Sequence, residues 1–88
     1  MKLPKQLERH FKGVSNHRRI QILVIIENSD GISLDGITQK IAGNLKTISE
    51  HVRRLLHAGL ITKKYKGRKV AHSLSPYGKR IFNFIKLF

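Results

Sequence analysis

Asn44-Leu-Lys-Thr-Ile-Ser-Glu-His-Val-Arg-Arg-Leu-Leu-His-Ala-Gly59 is the stretch that decides how this chain folds. An Asn side chain can accept hydrogen bonds from the free amides of a helix's first turn, and glycine suits the left-handed position beyond a helix's end. The stretch therefore predicts a helix from Asn44 to about Ala58. At about 100° per residue, Ile48, Val52, Leu55 and Gly59 share one stripe. Lys46, Glu50, Arg53, Arg54 and His57 centre on the opposite side, flanked by Thr47 and Ser49. One side is made to be buried, and the other presents donors and acceptors outward.

Immediately upstream, Ser33 can cap a helix over Leu34–Ala42 with Ile37 and Ile41 facing inward, and Gly43 suits its left-handed end. Downstream, Leu60–Lys66 and Lys69–Ser75 alternate with period two around Lys66-Gly67-Arg68, the pattern of a β-hairpin. Further out, Pro4–Lys12 predicts a first helix, and Asn16 caps a second whose isoleucines and leucines nearly surround it, as in a central helix. Pro76 opens a last helix to Phe88. The fold class is mainly α with a small β-hairpin: four helices, two strands and a helix in one domain over residues 1–88. Its centre is a helix-turn-helix followed by a wing.

Such a constellation has a specific use. A helix that buries one side can lay the other in the major groove of double-stranded DNA, where moderate-length side chains reach base edges. Lys46, Thr47, Ser49 and Glu50 are placed to address bases, and Arg53 and Arg54 to meet phosphates. Glu50 is informative, because a carboxylate repels phosphate but accepts from a cytosine amino group. The hairpin adds Lys63, Lys64, Lys66, Arg68 and Lys69, suited to flanking backbone or to a narrow minor groove, with Arg68 the residue for insertion. The competing account of these lysines is a solvated strand edge protected from aggregation.

The overall composition agrees. Eighteen Lys and Arg against five acids give a net charge of +13, well beyond the roughly 2–8 that solubility asks of a small domain, and imply a polyanionic partner. From His51 to Phe88 there are ten basic residues and no acid. The absence of cysteine fits a reducing compartment and removes thiolate chemistry. With no signal-like or membrane-spanning stretch, a soluble cytoplasmic protein is expected. The acids are few and scattered, and there is no phosphate loop or nucleophile motif, so no enzyme and no cofactor are expected. His10, His17, His51, His57 and His72 lack ligand spacing and are expected at the surface or facing phosphate, without metal. His51 and His57 would then strengthen DNA binding as pH falls.

Ile81, Phe82, Phe84, Ile85, Leu87 and Phe88 crowd the last helix with more apolar surface than a small domain can cover. Pairing with Leu3, Leu7 and Phe11 of the first helix across a homodimer would cover it and set two reading helices roughly 34 Å apart. A basic amphipathic membrane anchor is the other account.

The segment Lys46–Ile61 resembles the recognition helix of ArsR-type winged helix-turn-helix regulators, which read Ser-Thr-Val-Ser-His-His-Leu-Lys-Leu-Leu-Arg-Glu-Ala-Gly-Leu-Val. Asn16-His-Arg-Arg-Ile-Gln-Ile-Leu23 and the wing Gly67-Arg-Lys-Val-Ala-His-Ser-Leu-Ser-Pro76 are similar to the same family's segments, over about Val14 to Gly78. Some of these words are shared with MarR-like regulators. The resemblance implies a homodimer paired through its terminal helices that represses transcription from imperfect, pseudo-palindromic sites. The family's metal-site residues are missing: Ser33-Leu34-Asp35 stands where a cysteine pair would be, and Pro76–Phe88 has no Asp, Glu or His. Leu45 and Glu50 also depart from the family pattern. The combined expectation is a sequence-specific transcription regulator, with a non-specific architectural DNA-binding protein as the alternative and an RNA- or protein-docking winged helix as a further one.

Overall fold

A computed structural model describes residues 1–88 as α1 (Pro4–Val14), α2 (His17–Asn28), α3 (Leu34–Ile41), α4 (Leu45–His57), β1 (Ile61–Lys66), β2 (Lys69–Leu74) and α5 (Pro76–Ile85). The caps explain the starts. Asn16 accepts from the amides of Arg18 and Arg19, Asn44 from those of Lys46 and Thr47, Ser33 from Gly36, and Ser75 from Gly78. Each side-chain oxygen satisfies amides that the first turn leaves free.

Three ends differ from expectation. At the α3–α4 turn the left-handed residue is Ala42, with φ 56°, and not Gly43. Gly43 is needed for space instead, since a Cβ there would lie 3.0 Å from Ile48 Cδ1. Helix α1 runs two residues past Lys12, because its C-terminal carbonyls, those of Lys12 and Gly13, accept from Arg19 Nη1 at 3.2 and 3.1 Å. Helix α5 stops at Ile85, after which Leu87 and Phe88 donate three residues back, to Phe84 and Ile85, and tighten the chain out of the α-helix.

The core gathers one side of nearly every element. Ile22, Leu23 and Ile26 of α2, Ile37 of α3 and Leu55 of α4 are wholly buried, joined by Ile48, Val52, Leu60, Ile61, Leu74 and Ile81. Helix α2 is central, as its composition predicts. Gly59, at φ +74°, ends α4 and turns the chain into Leu60, which is fully buried.

The two strands pair in register from Ile61–Leu74 to Lys66–Lys69 around the Gly67-Arg68 turn. β2 is sandwiched: Ile32 forms a bridge to His72 on its other edge, so the α2–α3 connection supplies a third, one-residue rung. β1 has no outer neighbour, and every residue after Ile61 is exposed. Alternating residue types therefore do not produce alternating burial there, a difference from the period-two reading.

Two histidines overturn the expectation that all five lie at the surface or face phosphate. His72 is 2% exposed, and its Nδ1 lies 2.8 Å from the Ile32 carbonyl. His10 is 6% exposed, with Nδ1 2.6 Å from the Ala58 carbonyl and its ring stacked on Tyr77 at 4.8 Å. Beside it Gly13 meets the end of α4 so closely that a Cβ would fall 2.1 Å from that of Ala58. The first helix is thereby fastened to the last turn of α4.

Candidate nucleic-acid interface

Helix α4 buries Ile48, Val52 and Leu55 and leaves Lys46, Thr47, Ser49, Glu50, Arg53 and Arg54 exposed. All six residues assigned to this helix from sequence thus share its outer side. Within the stripe Glu50 is engaged. Its Oε1 accepts from Arg53 Nη2 at 2.6 Å and Arg54 Nε at 3.1 Å, and its Oε2 accepts from Arg53 Nε at 3.1 Å. The Arg53 hydrogen bonds, reinforced by Arg54, hold the Glu50 carboxyl below the usual carboxylate range, and the same pair raises Arg53. Glu50 is therefore an ion-paired acceptor whose lone pairs are shared with two arginines, not a free one. Leu45, 50% exposed at the start of the helix, is an apolar surface beside Lys46 that the residue pattern alone did not place in the site. Its chemistry suits contact with a thymine methyl.

On the hairpin, Lys63, Lys64, Lys66, Arg68 and Lys69 are all exposed, as is Tyr65. Lys66 stands directly opposite Lys69 in the register, a like-charge pair that is unfavourable until an anion lies against it. Arg68 is exposed at the tip and holds no ion pair. With Lys69 it borders a shallow cleft shared with Ser33, Leu34 and Asp35, so the wing tip leans toward the start of α3.

A second basic group lies beside α4. His51 is half-buried, and its pKa is lowered first by that burial and then by Arg19 and Arg18. Its charging therefore needs a lower pH than an ordinary histidine's, which weakens the expectation of added charge just below neutrality for His51. Arg9, Lys12, Arg19, Arg54 and His57 surround a cleft between α1, the start of α2 and the second half of α4. Residues 9 and 54 are far apart in sequence, so only the fold brings them together. No group of three or more His, Asp or Glu side chains is assembled anywhere that could hold a metal ion.

No protein-family model and no curated protein matches the chain. Solved structures do. The homodimeric winged helix-turn-helix DNA-binding domain of a possible ArsR-family transcriptional regulator from Mycobacterium bovis superposes with a TM-score of 0.85. That match covers 94% of this chain and 77% of that one at 24% identity. HlyU from Vibrio cholerae matches at 0.84, covering 96% and 92% at 21% identity. MarR matches at 0.77, covering 92% of this chain and 62% of its own at 20% identity. The chain is a winged helix-turn-helix.

At these identities the likeness is one of fold. In the winged helix, α3 and α4 form the helix-turn-helix and β1–β2 the wing, as the sequence predicts. The flanking helices divide their apolar residues between two surfaces. Ile81 belongs to the core, and Phe82 and Ile85 pack partly against it. Leu3, Phe11, Phe84 and Phe88 are exposed, with Leu7 half-buried between them. Between α1 and α5 runs a groove of about 330 Å³ whose apolar lining includes Leu7, Phe11, Tyr77 and Ile81. No helix is long and apolar enough to cross a membrane.

Proposed function

We propose that this protein is a homodimeric transcription regulator, a repressor, that binds specific sites in double-stranded DNA. Helix α4 lies in the major groove, with Lys46, Thr47, Ser49 and Glu50 toward bases and Arg53 and Arg54 toward phosphates. Lys63, Lys64, Lys66, Arg68 and Lys69 of the wing meet backbone or minor groove. The observation that carries this reading is the two-sidedness of α4: an apolar stripe fixed in the core, an exposed stripe of mixed donors and acceptors, and a cationic hairpin alongside. The likeness to the M. bovis domain, a homodimeric DNA-binding domain, supports it.

The dimer reading rests also on surface. The chain exposes 6227 Å², whereas a compact monomer of 10.1 kDa should expose about 5,300 Å². Part of the excess, about 900 Å², comes from the uncovered hairpin and part from apolar residues left exposed on α1 and α5. Leu3, Leu7, Phe11, Phe84 and Phe88 supply apolar surface of the right kind, next to the α1–α5 groove. In this reading residues 1–88 act as one domain with dimerisation helices at both ends.

Two measurements test the proposal. If a dimer neutralises on the order of eight phosphates, log K falls with log salt at a slope near −7, and a slope shallower than about −2 refutes it. A selected site should bind about a thousandfold or more tighter than random duplex at physiological salt. The alternative, an architectural protein that coats DNA, is favoured by the +13 charge and by the engagement of Glu50 with its arginines. It gives a ratio near one.

A further inference from the structure

The cleft between α1, the N-terminal turn of α2 and α4 has a volume of about 480 Å³, and its positive charge is only partly compensated. Arg9, Lys12, Arg19, Arg54 and His57 line it, against one carboxylate, Glu8. That acid reaches only Lys12, at 3.7 Å between two well-exposed side chains. Arg19 is the fixed element. Its Nη1 is tied to the carbonyls of Lys12 and Gly13, while its Nε is buried with no protein partner. On the opposite wall Glu50 takes Arg54 Nε, which leaves the two terminal nitrogens of Arg54 without a protein acceptor. Guanidinium groups held in place with free N–H groups are what a tetrahedral oxyanion requires, because each can donate two bonds to adjacent oxygens.

We propose that this cleft binds a phosphate group, with Arg19 as its floor, Arg54 and His57 on one wall and Arg9 and Lys12 on the other. Lys46, Glu50, Arg54 and His57 follow one another along α4 at steps of four, four and three residues, so the cleft continues the outward stripe of the helix. A phosphate there is either one in the DNA backbone at the edge of the α4 footprint or one carried by a free phosphorylated molecule. The first source rests on the proposed function; the second does not.

The test uses the intact protein and Arg9→Gln/Lys12→Gln, two exposed residues outside the interface proposed above; Arg19 is kept because it caps α1. In the first arm, inorganic phosphate is titrated at constant ionic strength and pH while the histidine ring resonances are followed by NMR. His57 should shift saturably, buried His72 at the far side should not, and the double variant should bind at least about tenfold more weakly. In the second arm the salt slope of duplex binding is compared. One backbone phosphate lost per cleft makes the dimer's slope shallower by about 1.8.

Saturable phosphate binding with the shallower slope assigns the cleft to the DNA backbone. Saturable binding with an unchanged slope assigns it to a free phosphorylated ligand. No His57 response together with an unchanged slope overturns the proposal, and does so even if duplex binding is intact. If duplex binding itself is missing while phosphate still binds, the regulator reading fails and the cleft stands.

Discussion

Glu50 holds two arginines, so replacing it separates the two uses proposed for the α4 surface. In Glu50→Gln the three hydrogen bonds to Arg53 and Arg54 lose their ionic partner. Both side chains are more than half exposed, and no other protein group accepts from their guanidinium nitrogens. A phosphate is then their best available acceptor. If one arginine per protomer gains a phosphate, the dimer's slope of log K against log salt steepens by about 1.8, so a fourfold rise in salt costs the variant about 12-fold more affinity than it costs the parent. Discrimination moves the other way: the only carboxylate on the stripe is lost, and the preference for a selected site over a scrambled one should drop about tenfold.

Fluorescence anisotropy with both duplexes over a series of KCl concentrations measures the two effects together. Glu27→Gln, an equal charge change on α2, is the control and should leave the slope unaltered. Uniformly weaker binding of Glu50→Gln to all sequences, with an unchanged slope, would refute this role of Glu50. In that case Glu50 serves to aim the arginines rather than to restrain them.

Other expectations follow from the same geometry. Gly13→Ala drives a methyl group into that of Ala58; overpacking of this kind costs about 1–3 kcal/mol, or roughly 5–15 °C of melting temperature for a chain this size. Ala58→Gly should restore part of it in the double variant. Because the folded-state pKa of His51 is depressed by burial and by Arg19 and Arg18, the unfolded chain takes up its proton first as pH falls. The stability contribution of His51 is complete above about pH 6.5, declines below it until the folded pKa is passed, and His51→Gln should flatten that limb of a urea-melt series. Arg53→Ala and Arg68→Ala should weaken binding to every duplex and make the salt slope shallower by about 1 for each phosphate lost. Thr47→Val should instead reorder preferences in a random-pool selection.

The helices were legible because their signals are local. Asn16, Ser33 and Asn44 cap where their side chains can reach amides two or three residues on, Pro76 opens α5, and the Ile48–Val52–Leu55 spacing fixes which side of α4 is buried. What the linear pattern could not carry was pairing over distance. His10 reads as a polar surface residue until the Ala58 carbonyl, 48 positions away, is brought against it. The same holds for His72 and Ile32, and for the cleft that joins Arg9 to Arg54. The outward position of Glu50 was legible and its engagement was not, although spacings of three and four to Arg53 and Arg54 do allow the ion pairs. The left-handed residue at the α3–α4 turn is a related case. Glycine's tolerance of positive φ points to Gly43, whereas the proximity of Ile48, which gives that glycine its purpose, exists only in the folded chain.

The hairpin is tied down at one end only. Ser75 Oγ donates to the Gly59 carbonyl at 2.6 Å while accepting from Gly78, the Ser75 amide donates to Leu60, and Ile32 clips His72 midway along β2. Beyond that clip, Lys64 to Lys69 are uncovered. Such a beam, clamped at its root and loaded with charge at its tip, bends about a fixed pivot. On the DNA-binding function proposed above, its tip would follow grooves of differing width while the pitch of α4 stays the same, and a mutation that loosens Ser75 would soften the whole beam at once.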